Sequence, residues 1–313
     1  MAGNTHAIRP ADPGGIAEGA AVLRAGRLVA VPTETVYGLA ARADSAEAVA
    51  AIYRAKGRPD FNPLIVHVAD LAQGQSLARF DERALALAAR FWPGPLTLVL
   101  PRRDDAGLAA AVTAGLPTLA LRCPAHPAMR ALLRETGLPL AAPSANRSGA
   151  VSPTTARHVA ASLGGKVDLI LDGGACSAGI ESTIVAVREA GWQVLRPGPI
   201  TADEIAALLG SAESVELAGG IEAPGQLASH YAPGKPVRLD ASSAAADEFH
   251  IGFGPVVGAF NLSAGGDCAE AAARLYEALH QAAAAPQPRI AVAPVPDTGI
   301  GAAINDRLRR AAA

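Results

Sequence analysis

The segment Lys56-Gly57-Arg58-Pro59-Asp60-Phe61-Asn62-Pro63-Leu64 sets two cations two residues apart at the end of a helix-like stretch, beside a glycine and prolines that fix a turn. That pattern suits an anion. Arginine offers a rigid fork for two phosphate oxygens and lysine a mobile point charge, so the pair can hold different oxygens of a triphosphate. The same cations also complement the dipole of a helix C-terminus. A second segment, Ala141-Ala142-Pro143-Ser144-Ala145-Asn146-Arg147-Ser148-Gly149-Ala150-Val151-Ser152-Pro153-Thr154, follows a strand-like run and precedes a helix. Short hydroxyls and an amide are what a sheet uses to grip a ligand over the carboxyl edge of its strands. Helix capping by Ser152 ahead of Pro153 is the alternative, and Ser144 and Asn146 equally suit a turn.

A third stretch runs from Asp172-Gly173-Gly174 to Gly179-Ile180-Glu181-Ser182-Thr183-Ile184 and enters a strand with two hydroxyls at its mouth. Its glycines also fit simple turns. It has neither the G-x-x-x-x-G-K-[ST] spacing nor G-x-G-x-x-G, so ATP would have to be held another way. Pro32-Thr33-Glu34-Thr35-Val36-Tyr37-Gly38-Leu39 follows the first strand, with Thr33 and Thr35 suited to a carboxylate or to a cap. Period-two alternation in PLIVHV puts His67 on the face of Ile65, opposite Leu64, Val66 and Val68. Such a histidine is more often a satisfied core residue than a catalyst. Arg122, ending TLALR, is a solvated cation or a receiver for a carboxylate. No Ser-His-Asp or Cys-His order stands out, and no metal-ligand spacing is present.

These loops need a scaffold. Residues 14–26 read as a helix closed by Gly26, and 27–32 as a strand stopped by Pro32. Further helices are expected at 45–55, 81–92, 126–136, 153–163 and 201–209, and strands at 63–68, 96–100, 117–122, 138–142, 167–171, 182–188 and 192–196. Interleaved strands and helices imply an α/β sheet, and the hairpin through EAGW makes it mixed. The division expected is a domain over 1–210, a Gly/Pro/Ser/Ala-rich linker over 211–236 and a small α/β domain over 237–313. In the small domain, strands are expected at 237–240, 254–263 and 289–295, with helices over about 267–285 and 301–312.

Composition narrows the classes. The chain has 313 residues, half of them apolar, and 27 basic against 29 acidic residues for a net charge of -2. Disorder and a grossly basic nucleic-acid binder are excluded. No apolar run reaches the roughly 18 residues of a membrane span, and the N-terminal stretch lacks the order of a secretory signal, so a cytoplasmic protein is expected. Cys123, Cys176 and Cys268 are odd in number and widely spaced, which argues against a disulfide framework or structural zinc. Only three of the cations are lysines, Lys56, Lys166 and Lys235.

Taken in order, PTETVYGL, KGRPDFNPL, WPGPLTLVL, LRCPAHP, APSANRSGAVSPT, DGG with GIESTIV, and LRPGPI resemble the YrdC-like domain of threonylcarbamoyl-AMP synthases over about residues 8–210. PGQLASHYAP and GIGAAINDRLRRAA resemble the linker and last helix of the long two-domain form. The resemblance implies a YrdC-like twisted mixed sheet with a small C-terminal Rossmann-like α/β domain. It implies an enzyme that joins L-threonine, bicarbonate and ATP into threonylcarbamoyl-AMP and diphosphate, the first step toward the threonylcarbamoyl group on adenosine 37 of tRNA. Mg2+ would come with ATP, without a dedicated protein site, and other proteins would transfer the group to tRNA.

By motif, Thr35, His67, Arg122, Ala142 (through its backbone) and Ser182 would surround threonine. Arg58, Asn62, Thr118, Ser144, Ser152, Arg196 and Tyr231 would surround ATP, with Lys56 and Arg58 at its phosphates. Two positions depart from the family: Ala186, where an acidic residue is frequent, and Ala40, where a glycine is; neither falls on an implied ligand contact. Such a reaction needs positioning and charge stabilisation rather than a protein nucleophile. The linker around His230-Tyr231-Ala232-Pro233 is placed to act as a lid that excludes water. An RNA-binding module is the competing class, which the net charge disfavours. A carbamoyl-adenylating domain of hydrogenase-maturation type is the competing enzyme, though its zinc-finger cysteines are absent.

Overall fold

The computed structural model describes residues 7–210, 222–226 and 230–313. Ten strands form the larger sheet: β1 (Ala7–Pro10), β2 (Val29–Val31), β3 (Gly38–Arg42), β4 (Ile65–His67), β5 (Leu96–Pro101), β6 (Thr118–Arg122), β7 (Leu140–Ala141), β8 (Leu169–Asp172), β9 (Thr183–Arg188) and β10 (Gly191–Arg196). Their order is β1-β8-β2-β3-β7-β4-β6-β5-β9-β10. The sheet is mixed, as expected: β4 runs parallel to β6 but antiparallel to β7, and the β9–β10 hairpin closes one edge.

Both faces of this sheet are covered, which is why several strands read as unbroken apolar runs. In β2, Val29 and Val31 pack with Leu23, Met129 and Leu132 on helices α1 (Pro13–Arg24) and α5 (Pro127–Thr136). Ala30 points the other way, into a larger core with Ile52 of α2 (Ala46–Lys56), Leu87 of α4 (Glu82–Phe91) and Val159 of α6 (Ala156–Leu163). A third group, with Ile65, Ala120, Ile184, Ala186 and Ala223, lies over the β4–β6–β5–β9 region. This is the face that carries the site.

Helix α2 shows how local sequence sets geometry. Ser45 caps its start by accepting from the Ala48 N–H, and Ala48, Val49, Ile52 and Ala55 form its buried stripe. Gly57 ends it in the left-handed region, φ 59°, where a side chain would be strained. Lys56 therefore stays on the helix and Arg58 departs from it.

The second sheet is all parallel, β11 (Val237–Arg238), β12 (Glu248–Gly252), β13 (Phe260–Asn261) and β14 (Arg289–Val292), in the order β11-β14-β12-β13. Helices α8 (Cys268–Ala284) and α9 (Ile300–Ala312) share its core through Leu275, Leu279, Ile304 and Leu308. The remaining helices are α3 (Leu71–Leu77) and α7 (Ala202–Leu209).

Several elements differ from expectation. The run 254–263 yields only Phe260–Asn261 as strand, because Gly254 has positive φ and Val257 is exposed, while the longer strand is Glu248–Gly252. Its Glu248 hides the pattern: the carboxylate is held by Arg238 at 2.6 Å, so a charged residue sits inside a strand. Strand β3 is Gly-Leu-Ala-Ala-Arg, too poor in β-branched residues to be read, and β1 and α3 were likewise not expected. Helix α6 starts at Ala156 rather than 153, with Thr155 as its cap. Of the expected linker, 211–221 and 227–229 lie outside the described residues.

Candidate active site between sheet and linker

The candidate site is a cleft over the sheet face that holds Ile65 and His67, closed from above by Pro224, Gly225, His230 and Tyr231. The expected placement at a shared carboxyl edge is corrected here. The neighbours β2–β3, β3–β7 and β7–β4 run in opposite directions, so the site has no single carboxyl edge, and residues at several strand ends converge over a face instead.

Thr35, His67, Arg122, Ala142 and Ser182 all line this cleft. His67 and Arg122 are direct partners in the β4–β6 ladder, so the sheet itself sets their spacing. Arg122 is anchored on every side: Nε donates to the Gly94 carbonyl at 3.1 Å, Nη1 donates to Thr35 Oγ1 at 2.8 Å, and Nη2 lies 2.7 Å from Glu34 Oε1. Glu34 Oε2 accepts from the Ala125 N–H. Burial pushes the Glu34 carboxyl up, but the Arg122 charge outweighs this and holds it below the usual range, so the pair is ionic. His67 is the reverse case. Burial first, then the charge of Arg122, lowers its imidazole to about 3, which leaves it neutral with Nδ1 unpartnered.

The same cleft is lined by Arg58, Ser144, Arg196 and Tyr231, with Arg196 Nη2 donating to Ser182 Oγ at 3.1 Å. Arg58 donates to the carbonyls of Asn62 and Pro63 at 3.2 and 2.9 Å, which folds the 58–63 turn around its own guanidinium. Burial lowers it to about 10, so it remains a cation at neutral pH. Arg196 donates to the Ser182 carbonyl through Nε and Nη2, and Nη1 donates to the Pro224 carbonyl of the linker. The buried hydroxyl of Tyr231 has no partner.

Four of the expected residues are not among those that line the cleft. Lys56 is 3 % exposed and its Nζ donates to the carbonyls of Ser144 and Asn146, both at 2.6 Å, so it fixes the loop that carries Ser144. Asn62 is buried with Oδ1 unpartnered, and its carbonyl accepts from Tyr53. Thr118 begins β6 opposite Pro101. Ser152 Oγ donates to Glu181 Oε1 at 2.6 Å.

Two carboxylates in this set had no role from sequence, Glu34 and Glu181. Each is an acidic residue next to hydroxyls within a loop motif, between Thr33 and Thr35 for Glu34 and ahead of Ser182 and Thr183 for Glu181, and that pattern is the signal that was available. Both are committed to arginines, Arg122 and Arg307. Among the described residues no group of three His, Cys, Asp or Glu is arranged to hold a metal ion.

A mixed sheet bearing a closed cationic cleft, with a parallel-sheet domain attached, defines a YrdC-like α/β enzyme of small-molecule substrates. Residues 21–198 match the Sua5/YciO/YrdC family, described as telomere recombination, and residues 200–313 match the C-terminal domain of threonylcarbamoyl-AMP synthase. The threonylcarbamoyl-AMP synthase of Bacillus subtilis is 42 % identical, with 95 % of this chain and 92 % of that protein aligned. That of Pyrococcus abyssi is 46 % identical over 70 % of this chain and 65 % of its own length. The solved structure of Pyrococcus abyssi Sua5 complexed with L-threonine superposes with a TM-score of 0.85 at 38 % identity, covering 95 % of this chain and 94 % of that one. The chain belongs to the threonylcarbamoyl-AMP synthase family, in its two-domain form, and is a nucleotidyltransferase.

Proposed function

We propose that this protein condenses L-threonine, bicarbonate and MgATP into L-threonylcarbamoyladenylate and diphosphate. The observation that carries the reading is one cleft lined by three pinned guanidinium groups, Arg122 held by Thr35, Arg58 held by the Asn62 carbonyl and Arg196 held by the Ser182 carbonyl. Arg122 and the hydroxyls of Thr35 and Ser182 receive threonine, with the backbone of Ala142 along its side. The ATP side is formed by Arg58, Arg196, Ser144 and Tyr231, supported by Asn62, Thr118 and Ser152.

The threonine amine adds to CO2, which bicarbonate yields with loss of water, and gives up a proton to form a carbamate, whose oxygen attacks the α-phosphorus while diphosphate leaves. No protein nucleophile is required. The chain contributes orientation of the two substrates, cationic stabilisation of phosphate charge by Arg58, and exclusion of water by the linker. Lys56 acts in this scheme by holding the Ser144 loop. Mg2+ enters as part of the nucleotide, since Glu34 and Glu181 are both engaged by arginines.

The product's destination is tRNA, by way of separate threonylcarbamoyl transferase proteins in the cytoplasm. No helix among the described residues is long and apolar enough to cross a membrane. The test is diphosphate release with MgATP, with threonine and bicarbonate each present or withdrawn and serine as comparison. Release must require both. Release that ignores threonine would sink the assignment, and binding to RNA that falls steeply with salt and needs no ATP would favour the RNA-binding reading.

A further inference from the structure

Glu181 is buried at the cleft wall, and its two oxygens are filled by side chains from distant parts of the chain. Oε1 accepts from Ser152 Oγ at 2.6 Å, and Oε2 accepts from the Tyr276 hydroxyl at 2.7 Å and from Arg307 Nε at 3.0 Å. Tyr276 lies on α8 and Arg307 on α9, both in the C-terminal domain. Arg307 is fully buried, and a last helix does not ordinarily bury a guanidinium unless its partners repay the lost hydration. Here Nη1 donates to the Pro197 carbonyl and pairs with Asp306, and the guanidinium carbon sits 5.4 Å from the centre of the Tyr231 ring. The Tyr231 ring in turn stacks on Tyr276, centres 5.6 Å apart.

Two more contacts join α8 to the same wall. His280 Nε2 is 3.1 Å from the Ser152 carbonyl, so Ser152 is held from both its side chain and its main chain. Gly179, at φ +69°, lets the α8 backbone approach so closely that a β-carbon there would lie 2.4 Å from Ala273 Cα.

We infer that Tyr276 and Arg307 are positioning residues for the ATP side of the cleft, acting through Glu181 on Ser152 and through ring contact on Tyr231. This rests on the reading that Tyr231 faces the nucleotide and that Ser152 supports the nucleotide side from outside the cleft lining. The C-terminal domain thereby contributes to the nucleotide side of the cleft through Glu181 and Tyr231.

The experiment is diphosphate release by the full chain carrying Tyr276→Phe, which keeps the ring and its stacking and removes only the hydroxyl, alone and combined with Ser152→Ala. KM for ATP should rise about three- to tenfold, the worth of one buried hydrogen bond, while KM for threonine stays within about twofold. In the Ser152→Ala background the same substitution should have a clearly smaller effect, because its route to the nucleotide is already cut. Arg307→Lys, which keeps the charge but not the fork, should shift the ATP KM in the same direction. An unchanged ATP KM, equal shifts in both KM values, or the same fold-change in both backgrounds would overturn the inference. A wild-type chain that releases diphosphate without threonine would instead overturn the assigned reaction.

Discussion

The guanidinium of Arg122 meets the carboxylate of Glu34 at 2.7 Å, with side chains 4 % and 11 % exposed. The pair fixes where the positive charge points. With Gly94 and Thr35 holding the other nitrogens, Arg122 is oriented before any substrate arrives, and a substrate carboxylate need not order it.

Arg122→Ala therefore strikes twice. It leaves the Glu34 charge buried without its partner, at about 3–5 kcal/mol in stability, and it removes the proposed threonine contact. Urea unfolding reports the first effect and titration calorimetry with threonine the second. Unaltered threonine affinity would take Arg122 out of the substrate site.

Arg58 and Lys56 should separate cleanly. Arg58→Ala is expected to cut diphosphate release about 100-fold or more, on the scale of removing one electrostatic donor, with the circular dichroism spectrum intact. Lys56→Met should act on stability, because the carbonyls of Ser144 and Asn146 lose their donor, at roughly 1–3 kcal/mol for each one left unpaired. Near-normal turnover in Arg58→Ala would rule out the phosphate role.

Acid should weaken the fold well before the carboxylates titrate. His67 is lowered from 6.5 to about 3 and His230 to about 4, both chiefly by burial. The native state keeps them neutral while the unfolded chain protonates, so this stability is fully present above pH 6.5 and is lost as pH falls below it. Glu34 and Glu181 have lowered values, and their contribution disappears only below about 4.5. Between those limits His67→Gln should reduce the pH slope of the unfolding free energy by about 1.4 kcal/mol per pH unit. An unchanged slope would show that His67 titrates normally.

Two glycines of one loop offer a paired test of the domain contact. Gly174 and Gly179 both have positive φ, but only Gly179 faces α8, whereas Gly174 has open space around it. Gly174→Ala should cost about 1 kcal/mol of backbone strain. Gly179→Ala should cost several times more and lower the cooperativity of thermal unfolding. Equal losses would mean that the α8 contact contributes little.

Much of this site was legible because its residues lie in short motifs whose local chemistry is distinctive. Thr35, Arg58, His67, Arg122, Ala142, Ser144, Ser182, Arg196 and Tyr231 all line the cleft. The strands most easily read were those with apolar, branched residues, such as Leu96–Pro101 and Thr183–Arg188. Gly38–Arg42 escaped because its alanines favour helix locally and only pairing with β2 and β7 makes it a strand.

The sequence by itself determined the inventory: the cations at 56 and 58, the hydroxyl loops, a mixed α/β sheet implied by one hairpin, and a family resemblance over about residues 8–210 with two further segments of the tail. Tertiary structure decided which groups face each other. Lys56 and Arg58 are two residues apart, yet the left-handed turn at Gly57 sends one behind a loop and the other into the cleft. Glu34 and Glu181 gained meaning only from arginines far along the chain, Arg307 lying 126 residues from Glu181. Such pairs depend on strand order and domain packing, which bring together groups whose local sequences carry no trace of one another.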